Sequence, residues 1–233
     1  MKASRCVYWV ADDHQNQFVS ERLVAFEWLP GISKSAKHLN LASFHQAIRD
    51  TLVGSRHLEV STYSEQSQGV QLSAFNLVLS DGRESKVSVE VAYQSSKRFR
   101  VSGKTLSVGN VKSSIEAKRE AQRLASVGEF AGFQFAGLVL DIEHSALVFD
   151  LIYLEALRQN PGVVAEATEF DVFSDFAFNK NKLGFVKGKS MATQARSIAG
   201  AVGAIRSGLR IEDLIQNRMG TANSVVEVDD RLF

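Results

Sequence analysis

Short runs of β-branched and aromatic residues, each bounded by polar clusters, mark the first 80 positions. VYWV (7–10), RLVAFEW (22–28), HLEVSTY (57–63) and AFNLVLS (74–80) predict strands. One helical period interrupts them. In SFHQAIRDTLVG, Phe44, Ala47, Ile48 and Leu52 fall at helical spacing, with Ser43 as the expected cap and Gly54 as the stop. From about residue 88 the pattern turns helical. Ser113 and Glu116 make a capping box ahead of a helix that should run to Gly128. SALVFDLIYLEALRQ (145–159) is apolar around most of its circumference, which marks a buried helix. Asn160 and Pro161 open another short helix. In SMATQARSIAGAVGAIRSG, Met191, Ala195, Ile198, Val202 and Ile205 form one apolar stripe between a Ser190 cap and Gly208. These elements imply an α+β fold, mainly helical, with a small β-sheet near the N-terminus.

No internal repeat or low-complexity segment divides the chain, and Pro30 and Pro161 delimit no linker. The expectation is one domain over residues 1–218 followed by a polar tail, 219–233. Composition changes this little: 45% hydrophobic and 23% charged residues over 233 positions suit one substantial core. A formal net charge of +1 argues against a protein that grips nucleic acid by bulk electrostatics. Its distribution is uneven, with ten basic and five acidic side chains in 81–123, one and nine in 124–175, and eight and two in 177–218. That is either incidental clustering or two basic segments serving one phosphate-bearing ligand. Cys6 is the only cysteine, which excludes an intrachain disulfide and a cysteine-based zinc site and fits a reducing cytosol. The N-terminus has no long apolar region, and FAGFQFAGLVLDI (130–142) is too short to cross a bilayer. A cytoplasmic protein without a membrane partner is expected.

Candidate chemistry begins at SVEVAYQSSKRF (88–99). Glu90, Gln94 and Lys97 stand at i, i+4 and i+7, within roughly 60° of one another on a helix. A carboxylate, an amide and an amine on one stripe form either a solvated face, with Glu N-terminal to Lys, or a reactive set. Spacing alone does not separate the two. His14, His38, His45, His57 and His144 show no i, i+3 or i, i+4 pair, so no metal site is expected. KGKS (187–190) lacks the strand and glycine of a P-loop, although Lys187 or Lys189 with the following helix start suits a phosphate. Three further segments stand out. LSAFNL (72–77) sets Ser73 and Asn76 around Phe75, FDVFSDF (170–176) interleaves Asp171 and Asp175 with Phe173 and Phe176, and SMATQAR (190–196) puts Gln194 and Arg196 near a helix start.

Taken in order, these segments resemble the NADAR family, small N-glycosidases linked to NAD and ADP-ribose metabolism. LSAFN matches the family's S-N-F-like element, and VSVEVAYQSSKRF its S-x-E-H-x-x-Q-x-x-K-F helix. SSIEAKREAQRL resembles the helix after it, DVFSDF the late Asp-x-aromatic-Trp-Gly segment, and the helix from Ser190 the closing helix. The likeness covers roughly residues 70–206, the expected NADAR core. FEWLPG with SKSAK (26–37) and HLEVSTYSEQSQGVQLSAFNL (57–77) resemble the N-terminal extension, here 1–69, of the NADAR antitoxins encoded beside DarT-type toxins that ADP-ribosylate guanine in DNA. Three positions depart from the pattern. Val91 replaces the usual His, and Ser174 and Asp175 replace Trp-Gly, which leaves Phe173 or Phe176 to supply the aromatic.

The resemblance implies an enzyme that cleaves the bond between a ribose anomeric carbon and an exocyclic amine. Lys97 would hold the sugar as a Schiff base, Glu90 would move protons and Gln94 would orient a hydroxyl or Glu90 itself. Tyr93 is either a stacking residue or a core residue. Lys34, Lys37 and Arg98 with Arg100, then Lys187 to Arg196, are the expected diphosphate contacts. Ser73, Phe75, Asn76, Asp171, Phe173, Asp175, Gln194 and Arg196 complete the expected ligand-binding set. Arg98 or Arg100 would lower the Lys97 pKa and Glu90 would raise it. No cofactor is implied. The implied partners are ADP-ribosylated DNA in single-stranded or extruded form, ADP-ribose as product, and a DarT-type toxin. The alternatives are an N-glycosidase of riboflavin-pathway ribosylamino intermediates and a non-catalytic module that binds ADP-ribose or the toxin. Lys97 should lie in a cleft with Glu90 nearby.

Overall fold

A computed structural model describes residues 1–11, 18–31, 33–80, 86–109, 111, 113–176 and 194–222. Strands β1 (Lys2–Val10) and β2 (Val19–Glu27) open the chain, followed by α1 (Lys34–Thr51), β3 (His57–Glu59) and a short α2 (Ser67–Gln71). Next come β4 (Val78–Ser80), β5 (Lys86–Ser88), α3 (Val89–Ser95), β6 (Lys97–Val101), β7 (Lys104–Ser107), α4 (Ser114–Val127), β8 (Glu129–Phe135) and β9 (Leu138–Leu140). A 3-10 turn at Ile142–His144 leads into α5 (Ser145–Gln159), α6 (Pro161–Ala167), β10 (Val172–Ser174), α7 (Gln194–Arg206) and α8 (Ile211–Ala222). The fold is α+β, and among the described residues no helix is long and apolar enough to cross a membrane.

The chain forms two compact units, one of Met1–Leu72 with Val163–Gly208 and the other of Ser73–Gly162 with Leu209–Phe233. The first is built on a four-stranded sheet in the order β2-β1-β10-β3. β1 and β2 pair antiparallel over their whole length, from Lys2 opposite Glu27 to Val10 opposite Val19. β10 runs antiparallel to β1 and parallel to β3. Leu41, Phe44 and Ile48 of α1 recur at i, i+3 and i+7 and join Val7, Val24, Phe26, Val172 and Phe176 in one core. Helix α7 is buried on nearly every side, as its Ala- and Gly-rich sequence requires. A Cβ at Gly203 would stand 2.5 Å from the Phe18 carbonyl oxygen.

The second unit contains the β4–β5 hairpin and an antiparallel sheet in the order β7-β6-β8-β9. Phe99 of β6 packs with Ala117, Ala121 and Leu124 of α4. α5 buries Val148, Leu151, Ile152, Tyr153, Leu154, Ala156 and Leu157, as its all-round apolar pattern predicts. Its buried Asp150 is paired with Arg218 of α8 at 3.0 Å. The Ser113 hydroxyl accepts from the Glu116 N–H, and α4 ends at Gly128 as read from the sequence.

Three expectations change. The first long helix starts ten residues earlier than expected: Ser33, not Ser43, caps α1, its hydroxyl accepting from the Ala36 N–H, while Ser43 lies inside the helix. Residues 97–140 are not mainly helical, because β6 to β9 form a sheet there around one helix, α4. AFNLVLS contributes only three strand residues, since Ser73 to Leu77 form a turn closed by the Asn76 and Leu77 N–H groups on the Ser73 carbonyl. The Ser190 cap, Met191 and KGKS lie outside the described residues.

Candidate active site

The turn at Ser73–Leu77 and helix α3 are joined through backbone. The Glu90 N–H donates to the Ala74 carbonyl at 2.8 Å and the Val89 N–H to Leu77 at 3.0 Å. These are first-turn N–H groups that have no partner within the helix, so the turn caps α3. Ser88 adds a side-chain cap on Val91. The two segments that the sequence placed in series are therefore parts of one local structure.

Helix α3 ends at Ser95, and Lys97 is the first residue of β6. Glu90, Gln94 and Lys97 do not share a helical stripe. The contact forms differently: Lys97 Nζ donates to Gln94 Oε1 at 2.7 Å, and Gln94 Nε2 donates to Glu90 Oε1 at 3.1 Å. The amide holds amine and carboxylate in one chain of hydrogen bonds. A bulge sets this register. Lys97 pairs with Phe133 and Phe99 with Phe130, so β8 carries an extra residue across from them. Gly132 takes a left-handed φ of +100° within that bulge.

The chain of hydrogen bonds lines an open cleft of about 570 Å³, with walls that include Tyr93, Phe99, Lys118, Ala121, Phe130 and Phe133. Tyr93 stacks on Phe133 at 5.6 Å between ring centroids, and the Lys97 ammonium lies 5.3 Å from the Tyr93 ring centre. Burial pushes the Lys97 amine below the usual lysine range; Glu90 opposes that shift and Lys118 adds to it. Burial and Glu90 raise the Tyr93 phenol. The cation beside Lys97 is thus Lys118 rather than Arg98 or Arg100.

Lys118 is the residue that sequence reasoning missed. Its Nζ is 2.8 Å from Glu90 Oε1 and 5.2 Å from the centre of the Phe75 ring. A usable signal was present, because Lys118, Ala121, Gln122 and Ala125 recur at i, i+3, i+4 and i+7 on α4 and all line the cleft. Phe75 is 49% exposed, Ser73 is buried with its hydroxyl accepting from the Phe75 N–H, and Asn76 is exposed. Arg98 is half-buried on β6 opposite Ser107.

The other expected residues belong to the first unit. Lys34 is exposed at the start of α1, and Lys37 places its Nζ 5.9 Å from the Tyr63 ring centre. Asp171 accepts from the Arg56 N–H at 3.0 Å and from Arg206 at 3.1 Å. Arg196 pairs with Glu21 at 2.8 Å. Phe173 and Phe176 are buried, Phe176 packing among Phe26, Trp28 and Phe44. Gln194 donates to the Val60 carbonyl and hydrogen bonds Asp175.

Asp175 neighbours a second carboxylate, Glu59. Burial alone would raise Glu59, yet His45, the Ser174 hydroxyl and the Phe176 N–H hold it below the usual carboxylate range. Burial and the Glu59 charge push Asp175 up to about 7. The donor atoms of His45, His57 and Glu59 lie within 4.8 Å of one another, the one grouping among the described residues with ligands for a metal. Those atoms are already engaged: His57 Nε2 is 2.8 Å from Ser174 Oγ, and His45 Nε2 is 3.4 Å from Glu59 Oε2. Histidine spacing in the sequence could not show this convergence, because one residue comes from α1 and two from β3.

The sequence profile of the family described as DarT1-associated NADAR antitoxin matches residues 3–229. No curated protein matches the chain.

Proposed function

The chain belongs to the DarT1-associated NADAR antitoxins, and from that premise we propose that it is an N-glycosidase that removes ADP-ribose from guanine bases of DNA. The observation that carries this reading is the chain of hydrogen bonds from the Lys97 amine through Gln94 to Glu90 on the wall of an aromatic-lined cleft. A nucleophilic lysine must be partly neutral, and burial drives Lys97 in that direction.

The reaction follows from the bond. A ribose carbon attached to the 2-amino group of guanine is a glycosylamine. Protonation of the ring oxygen breaks its bond to C1 and leaves a C1=N imine. The neutral Lys97 amine adds to C1, a proton passes to the guanine nitrogen, and the C1–N bond to guanine breaks. C1 is then held as an iminium on Lys97. Water adds to C1, the C1–Nζ bond breaks, and ADP-ribose leaves with its ring free to reclose. In this reading Glu90 carries protons at these steps, a role supported by its hydrogen bond from Gln94, which also contacts Lys97. Tyr93, backed by Phe133, offers flat surface to a base that has left the duplex stack. Arg98, on β6 with Lys97, is the expected diphosphate contact within this unit.

Incubation with an oligonucleotide carrying ADP-ribosyl guanine tests the reading. The expected result is unmodified oligonucleotide plus free ADP-ribose, with borohydride trapping the sugar on Lys97. An intact adduct after prolonged incubation, with ribosylamino-pyrimidines cleaved instead, would overturn the DNA assignment. Undiminished protection from the toxin by Lys97→Ala would point to a binding module rather than an enzyme.

A further inference from the structure

Glu90 Oε1 accepts a hydrogen bond from Gln94 Nε2 at 3.1 Å and forms an ion pair with Lys118 Nζ at 2.8 Å. Its other oxygen, Oε2, has no hydrogen-bond partner among the described residues. Glu90 is largely buried, with 14% of its side chain exposed, whereas Lys118 is 47% exposed. An ordinary exposed ion pair would contribute little. This pair differs, because its acid is sheltered and its base also lines the cleft beside Lys97. The Phe75 ring, its centre 5.2 Å from the Lys118 ammonium, gives that charge a further contact. The small side chains of Ala121 and Ala125, one and two turns on, keep the same wall of the cleft open.

We propose that Lys118 is a positioning residue of this site, pinning Oε1 of Glu90 so that Oε2 is left to exchange protons with the substrate, and setting a second cation beside the Lys97 amine. The inference rests on the glycosidase reading above. Two groups of opposite sign face Lys97 among the described residues: Glu90 on α3 favours the protonated amine, and Lys118 on α4 disfavours it. Tyr93, also on α3, is held neutral by burial. Removing the Lys118 charge therefore has two effects of the same sign, losing a repelling cation and releasing Glu90 to act on Lys97 alone.

The test compares Lys118→Met and Lys118→Arg with the wild-type chain. Lys118→Met should lower the rate of borohydride trapping by about 100-fold, the scale expected for a misplaced group. It should also move the acid limb of the pH–rate profile to higher pH, and Lys118→Arg should restore both. A titration of Lys97 by NMR of isotopically labelled lysine reads the same shift without any turnover. An unshifted Lys97 titration in Lys118→Met overturns the inference. So does a slowed reaction whose acid limb stays in place and which Lys118→Arg fails to rescue. If Lys118→Met does not fold, the Lys118→Gln variant serves the same comparison. Absence of cleavage and trapping in the wild type would sink the glycosidase reading instead, and the titration would still judge the role of Lys118.

Discussion

Asp175 replaces a residue of the family's Trp-Gly pair, and its surroundings give it a measurable property. Glu59 keeps its charge because three donors converge on it, and that charge, with burial, raises Asp175 to about 7. The folded protein therefore binds a proton at Asp175 between about pH 4 and 7 that the unfolded chain has already lost. Stability from this group falls as pH rises through that window. His57 acts in the opposite sense. Burial and His45 lower it to about 3, so the unfolded chain binds more protons between about pH 3 and 6.5, and stability rises there. The two trends offset each other in the wild type, and a single substitution separates them. Asp175→Asn keeps an oxygen for Gln194 but cannot ionise. Relative to wild type it should gain stability between about pH 4 and 7 and keep that gain above, by at most about 4 kcal/mol. Urea unfolding of both chains at about pH 5 and pH 8 checks this, and an equal difference at the two values would rule it out.

At the scale of elements, the junction of α3, β6 and β8 decides where Lys97 goes. The bulge in β8 requires Gly132: its φ is +100°, and a Cβ there would stand 2.3 Å from the Leu140 carbonyl oxygen. Gly132→Ala should destabilise the chain by roughly 1–3 kcal/mol. It should also slow trapping at Lys97 more than Leu124→Ala, a core truncation of comparable cost elsewhere in the same unit. Equal losses of trapping in two variants of matched stability would show that the bulge does not position Lys97. This junction also marks how far the sequence was legible. Helices α4 and α5 were read almost to the residue, because a capping box and an all-round apolar run are local signals. Glu90, Gln94 and Lys97 were rightly grouped for the wrong reason. Their spacing fits a helix, but Ser95 ends it, and the Lys97 side chain returns to Gln94 from a strand. The strands after residue 97 were missed because their pairing partners, β7 and β8, are chosen by contacts and not by local periodicity. The Glu59–His45–Ser174 group and the pairing of Lys118 with Glu90 were illegible for the same reason, since each joins residues that are distant in sequence, although the helical spacing of Lys118 with Ala121, Gln122 and Ala125 was readable.

For the whole molecule, the blocks of charge read either as incidental clustering or as two basic segments serving one phosphate-bearing ligand. Part of that charge is paired internally among the described residues. Arg206 pairs with Asp171 and Arg218 with Asp150, so members of the basic block after 177 meet members of the acidic block before it. Arg196 and Arg210 are paired with Glu21 and Asp213, and Arg123 and Lys118 with Glu120 and Glu90. With a net charge of +1, the chain carries little excess positive charge to displace counterions from a DNA backbone. A cleft of about 570 Å³ lined by aromatic side chains instead favours recognition of the adduct itself. The rate of ADP-ribose release from a modified oligonucleotide should therefore depend weakly on salt, with a log–log slope of kcat/KM no steeper than about −2. Adducts on a mononucleotide and on a long single strand should be processed within about tenfold of each other. A slope near −4, or a steep rise in kcat/KM with strand length, would mean that several phosphates are gripped outside the cleft.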